Sequence, residues 1–278
     1  MPSFVFLQKL FHPILRILGM SADLSITEEF PFRVSVQDWR HTLVNRYTSP
    51  DLVLGPKYRA RMRGLQVVRM RRYKEQERPG HEYLVAEIAV PESGKRYLRF
   101  ERFAKDLPEE SSSAKKTISN GSSQSLLAIS SNPAALDEVI TIARWPRDSC
   151  IAKLDCENLP EPITLLDLAL AAEVVHNDSD KYELTSRQCF WYADTISAVL
   201  ETYFPKIKIQ TQLRASEDGE DERHDENGGK FMRIVLHKRD QGAVDEIVKV
   251  FRQRKAMVDA LVCFSHLYNV FYLKIGID

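Results

Sequence analysis

Tyr182-Glu-Leu-Thr-Ser-Arg-Gln-Cys-Phe-Trp-Tyr-Ala-Asp-Thr-Ile196 sets residues with helix-capping side chains directly ahead of an apolar run. Phe190, Ala193, Ser197 and Leu200 recur at helical spacing, with Tyr192, Ile196, Val199 and Tyr203 alongside, which predicts a helix buried around much of its circumference. Thr185 or Ser186 can supply the N-cap, and with Ser186 there Cys189 falls at the third helical position. The positive end of a helix dipole favours the thiolate, the nucleophilic form of cysteine, and first-turn N–H groups can donate to an oxyanion on an attacked acyl group. The competing reading is bland: a free cysteine among Phe190, Trp191 and Tyr192 also suits a small buried hydrophobe.

A thiol nucleophile needs a base, usually an oriented histidine. His81 opens the clearest hairpin in the chain, with arms His81–Val90 and Tyr97–Phe103 that both alternate with a period of two. If Ser93 and Gly94 are the two central turn residues, Glu92 faces Lys95, cross-strand pairs sum to 187, and His81 faces Asp106. Asp106 then orients the imidazole, and Glu101 does so if the register differs. The remaining histidines, His12, His41, His176, His224, His237 and His266, lie in segments less suited to meeting Cys189.

A histidine on an early strand, a second strand after it, and a late helix opening with polar-Cys-aromatic resemble the circularly permuted papain-like thiol enzymes, particularly the lecithin:retinol acyltransferase-like group. The resemblance covers His81–Phe103 and Tyr182–Leu200. In that group an Asn-Cys pair commonly precedes an aromatic-rich helix, and here Gln188 stands in the Asn position before Cys189-Phe190-Trp191-Tyr192. The resemblance implies Cys189 as nucleophile and His81 as base; the polar residue on the second strand stays open among Arg99, Glu101 and Asp106. It also implies an α+β fold, an antiparallel sheet packed on a central Cys-bearing helix. The same run is similar to Arg-Gln-Cys-Phe-Trp segments in a branch of fungal proteins, from which no activity follows.

Outward from these patches, the pattern predicts helices over Val36–Tyr47 and Leu165–Val175, the latter capped by Thr164, and strands over Arg63–Tyr73 and Val139–Ala143. Lys206–Leu213 and Lys230–His237 read as a hairpin around an acidic loop, and Ala243–Leu273 as one or two helices. Residues 106–134, Ser-rich and poor in aromatics, and 215–229, acidic, read as disordered insertions. The organisation expected is an N-terminal helical segment over 1–50, then an α+β domain over 51–278.

Charge and cysteine usage narrow the function classes. Lys+Arg and Asp+Glu both number 39, so net charge offers no whole-molecule attraction for nucleic acid. The Arg59–Lys74 patch reads as a solvated strand surface, and nucleic acid is not the expected partner. Cys150, Cys156, Cys189 and Cys263 are too few and scattered for a disulfide framework, which points to a reducing, cytoplasmic setting. No Cys-x-x-Cys or His-x-x-x-His pair is present, so neither a metal nor a cofactor is expected. Phe4, Leu7, Leu10, Phe11, Ile14 and Leu18 share helical spacing in a segment too short to span a bilayer, suited to core docking or to peripheral membrane contact. The expectation is a cysteine-dependent hydrolase or acyltransferase acting on an amide or ester carbonyl, its acyl substrate a protein or a lipid. The alternative is a non-catalytic papain-like interaction module.

Overall fold

The computed structural model describes residues 29–48, 56–75, 81–104, 134–179, 181, 188–207, 209–211, 230–231, 234–235 and 240–275. The insertion tracts 106–133 and 215–229 and the N-terminal run 4–18 lie outside the described residues.

Seven strands form an antiparallel sheet: β1 (Arg33–Ser35), β2 (Gln66–Lys74), β3 (Glu82–Val90), β4 (Gly94–Ala104), β5 (Ala135–Ile142), β6 (Ser149–Asp155) and β7 (Ile209–Thr211), in the order β1-β5-β4-β3-β2-β6-β7. Helices α1 (Val36–Thr48), α2 (Pro56–Arg63), α3 (Leu165–Asp178), α4 (Cys189–Tyr203) and α5 (Gln241–Ile275) accompany it, with a small hairpin of β8 (Lys230–Phe231) and β9 (Ile234–Val235). α4 packs against β3 and β4, α3 lies against α1, and α5 crosses both α3 and α4.

β3 holds the centre because both of its faces find cover. Leu84, Ala86, Ile88 and Val90 join the main core beneath the helices, while Tyr83 and Val85 join Tyr73 in a second cluster on the other face. Phe100 of β4 meets Trp39 of α1 edge-on at 5.5 Å between centroids, so α1 shares this core. Burying a side chain such as Phe100 contributes about 1.5–3 kcal/mol relative to leaving it exposed. α3 begins with the capping box that its sequence announces: Asp167 N donates to Thr164 Oγ1 at 3.1 Å and Thr164 N to Asp167 Oδ2 at 2.9 Å.

Several expectations change. The first arm ends at Val90 as expected, but the β3–β4 loop has three residues, Pro91, Glu92 and Ser93, with Glu92 at φ 65° and Gly94 at φ 83°, so Val90 pairs with Gly94 and Ser93-Gly94 is not a two-residue turn. Pairs such as Leu84 with Phe100 sum to 184, not 187. Position 81 is thereby aligned with Phe103 and not with Asp106, which lies outside the described residues. β2 starts at Gln66 because Arg63 still belongs to α2 and Gly64 turns the chain where a Cβ would meet Pro91 Cγ at 2.6 Å. β7 pairs with β6, and β8 with β9, so the hairpin expected between Lys206–Leu213 and Lys230–His237 is not formed among the described residues. The C-terminal stretch is one helix. No helix among the described residues is long and apolar enough to cross a membrane.

Candidate active site

α4 starts at Cys189 itself. Its N-cap is Gln188, extended at φ −96° and ψ −171°, and the Gln188 side chain makes no capping hydrogen bond. The intrahelical ladder opens with Tyr192 N donating to Gln188 O at 3.1 Å. Cys189 is therefore the first helical residue rather than the third, and Thr185 and Ser186, the expected caps, lie outside the described residues. The thiol remains at the positive end of the helix, as the sequence implied. Every residue of α4 from Cys189 to Leu200 is buried, so the sulfur sits on a helix with little freedom to shift.

The start of β3 meets this helix end. Glu82 N donates to Cys189 Sγ at 3.4 Å, a backbone donor aimed at the sulfur. One residue earlier, the His81 imidazole is hydrogen-bonded to the Cys189 side chain, and its Nε2 lies 3.4 Å from Glu101 Oε2. Its ring stacks on Phe103 at 5.2 Å and an interplanar angle of 15°, which fixes the ring plane. Cys189, His81 and Glu101 thus form a continuous line from helix to strand to strand. Resting sites often hold such contacts somewhat long, and 3.4 Å is within that habit.

Glu101 is itself held. Arg99 Nε donates to it at 2.8 Å and Nη2 lies 2.5 Å from its Oε2, while the same Nη2 donates to Glu75 Oε1 at 3.0 Å. The Arg99 guanidinium lies 3.7 Å above the Tyr83 ring, and Tyr83 O–H donates to Asp148 at 2.5 Å. Burial opposes charge on Glu101, yet the His81 hydrogen bond and the Arg99 charge outweigh it and lower its pKa. His81 shows the complementary result. Burial works against its protonated form, but hydrogen bonds to Cys189 and Glu101 push its pKa up to about 9.

Beneath the helix a second polar contact ties the sheet to α4. Arg72 of β2 bonds Asp194 of α4, and its Nε lies 3.6 Å from Glu82 Oε2. Arg69 instead pairs with Glu87, and Arg71 lies over Trp145 at 4.2 Å, so the basic run of β2 is divided between the two faces of the sheet.

Of the residues singled out in the sequence, Cys189, His81 and Glu101 come together. Arg99 joins them as a partner of Glu101 rather than of His81. His176 sits elsewhere, with Nδ1 2.7 Å from Asp137 Oδ2. The Glu82 N–H and the buried Gln188 amide were not anticipated; only the pairing of a Gln with the nucleophile position hinted at the second. The other thiols are set differently: burial raises the Cys150 pKa and pushes Cys156 up to about 12, and Cys263 is exposed on α5. No group of three or more His, Cys, Asp or Glu among the described residues is arranged to hold a metal ion. No protein-family model matches the chain, and neither the curated proteins nor the solved structures contain a match to it.

Proposed function

We propose that the chain is a thiol hydrolase or acyltransferase on a permuted papain-like scaffold, with Cys189 as nucleophile, His81 as acid and base, and Glu101 as the group that orients the imidazole. The observation that carries this reading is the His81 imidazole hydrogen-bonded to Cys189 with Glu101 3.4 Å from its Nε2. The chain order supports the scaffold: His81 before β3, Glu101 on the neighbouring β4, then Cys189 opening a helix that packs on both strands. In the reaction, Sγ attacks the acyl carbonyl carbon as a thiolate while the proton rests on His81. The tetrahedral adduct collapses, His81 protonates the departing alcohol or amine, and a thioester remains. Water gives hydrolysis, an alcohol or amine gives acyl transfer, and His81 takes the attacking proton in either case. The acyl substrate is a protein or a lipid. A reactive thiol suits a reducing compartment such as the cytoplasm.

Iodoacetamide labelling followed by peptide mass spectrometry tests the assignment. Cys189 should label faster than the exposed Cys263 despite being only 4% exposed, and His81→Ala should slow Cys189 by about tenfold or more, the low side of what an acid–base partner supplies. Labelling of Cys189 that is slower than Cys263 and indifferent to His81→Ala would leave only a non-catalytic module on this scaffold.

A further inference from the structure

We infer that Gln188 is a catalytic residue of the same site: its side-chain amide is a hydrogen-bond donor for the oxyanion formed when Cys189 attacks an acyl carbonyl. The inference rests on the thiol reading above and extends it by one residue.

Gln188 stands at the N-cap, where Ser, Thr, Asp and Asn prevail because a short side-chain oxygen accepts from an N–H of the first turn. Gln188 makes no such bond, so helix capping does not account for it. The residue is only 6% exposed, and its Nε2 is buried with no hydrogen-bond partner among the described residues. Leaving a buried amide donor unpaired costs about 1–3 kcal/mol. Folded chains seldom tolerate that without a use for the donor, and functional sites are where such exceptions gather. The use at hand follows from position. Gln188 directly precedes the nucleophile on the helix end whose dipole favours negative charge.

The Cys189 lone pair forms a C–S bond, and the carbonyl π pair moves onto oxygen as an oxyanion. Gln188 Nε2–H donates to that oxygen. The pair then returns to re-form the carbonyl as the bond to the leaving group breaks. A neutral amide suits the task because it stabilises charge on oxygen without acting as a permanent counter-ion to the thiolate. Such a donor is strongest where it is already fixed before charge develops.

Two reagents separate this role from a structural one. p-Nitrophenyl acetate acylates a thiol through a tetrahedral oxyanion and releases p-nitrophenolate, which absorbs. Iodoacetamide alkylates the same sulfur by displacing iodide from a saturated carbon, with no oxyanion. In the full-length chain, Gln188→Ala should lower the rate of Cys189 acylation by about a hundredfold, the usual loss for one oxyanion donor, and leave Cys189 alkylation unchanged within about twofold. Gln188→Met keeps the approximate size, lacks the donor, adds no charge beside the thiolate and should behave the same, which guards against a folding defect in the alanine variant. Equal losses in both reactions, or undiminished acylation, would overturn the Gln188 role while leaving Cys189 as nucleophile. A wild-type Cys189 that reacts with neither reagent faster than Cys263 would overturn the thiol reading and this role with it.

Discussion

Two clusters in this molecule each join a histidine and an arginine through a carboxylate, and only one of them touches a thiol. In the first, His81 and Arg99 flank Glu101, and the imidazole reaches Cys189. In the second, His176 and Arg102 flank Asp137: Arg102 holds it with two hydrogen bonds, 2.7 Å from Nε and 2.6 Å from Nη2, and Nη2 also donates to Ser179 O at 2.9 Å. Both lean on β4, whose alternation sends Arg99 and Glu101 to one face and Arg102 to the other. The second cluster meets aromatic rings instead of sulfur, for the Arg102 guanidinium lies 5.0 Å from the Trp191 centroid and 4.9 Å from that of Tyr192. A histidine, an acid and an arginine in contact therefore do not define a reactive site; what the trio is aimed at does. The aim of the second trio is still informative. Trp191 and Tyr192 lie in the same turn as Cys189, so the buried pair braces the helix start from behind while the first cluster addresses its sulfur.

The sharpest break in this comparison comes from Asp137→Ala. Arg102 and Asp137 side chains are both 0% exposed, so the variant leaves a guanidinium buried without its counter-ion. Removing one partner of such a pair costs about 3–5 kcal/mol, and urea unfolding should show a loss of that size. A loss below about 1 kcal/mol would mean that the second cluster braces nothing.

Glu101→Gln should do less to stability and more to chemistry. Arg99 keeps Glu75 and the Tyr83 ring when the Glu101 charge is removed, so no cation is stranded. The imidazole loses the anion that steadies its protonated form, and Cys189 acylation by p-nitrophenyl acetate should slow by about ten- to a hundredfold, within the range for a disturbed acid–base group. An unchanged acylation rate would make the two clusters alike after all, both of them struts.

How much of this the sequence disclosed depended on whether the signal was local. The thiol at a helix start, the hairpin arms and the Thr164 cap are set by spacing within a few residues, and each can be read directly. The partner of His81 could not be read that way, because it hung on one loop. Ser93-Gly94 looks like a two-residue turn, but the left-handed residues are Glu92 and Gly94, and the three-residue loop shifts the pairing from a sum of 187 to 184. That odd shift moves Arg102 off the face that His81 extends and brings Glu101 onto it. Arg102 was illegible for another reason. Its counter-ion Asp137 arrives from β5, at a position that lies before the segment Val139–Ala143 that reads as the strand. The helix start was misplaced because Thr185 and Ser186 are the better caps by propensity, and the chain uses Gln188 instead.

The smallest effect expected is a pH dependence, and it bears on whether the first cluster is an ion pair network or a set of neutral contacts. His81 has its pKa pushed up to about 9 by hydrogen bonds to Cys189 and Glu101, against the opposing influence of burial, whereas an unfolded histidine titrates near 6.5. The folded state thus binds the His81 proton more tightly. Its contribution to stability is fully present below about pH 6.5 and is lost as the pH rises through about 9. Glu101 works in the opposite sense: its lowered pKa adds stability above the usual carboxylate range, which is lost as the solution is made acidic. Between those two limits both groups stabilise the fold, so the advantage of wild type over His81→Gln in urea unfolding should be greatest just below neutrality and shrink steadily toward pH 9. A wild-type advantage over His81→Gln that stays level from pH 6 to 9 would mean that the imidazole is not holding a proton between Cys189 and Glu101.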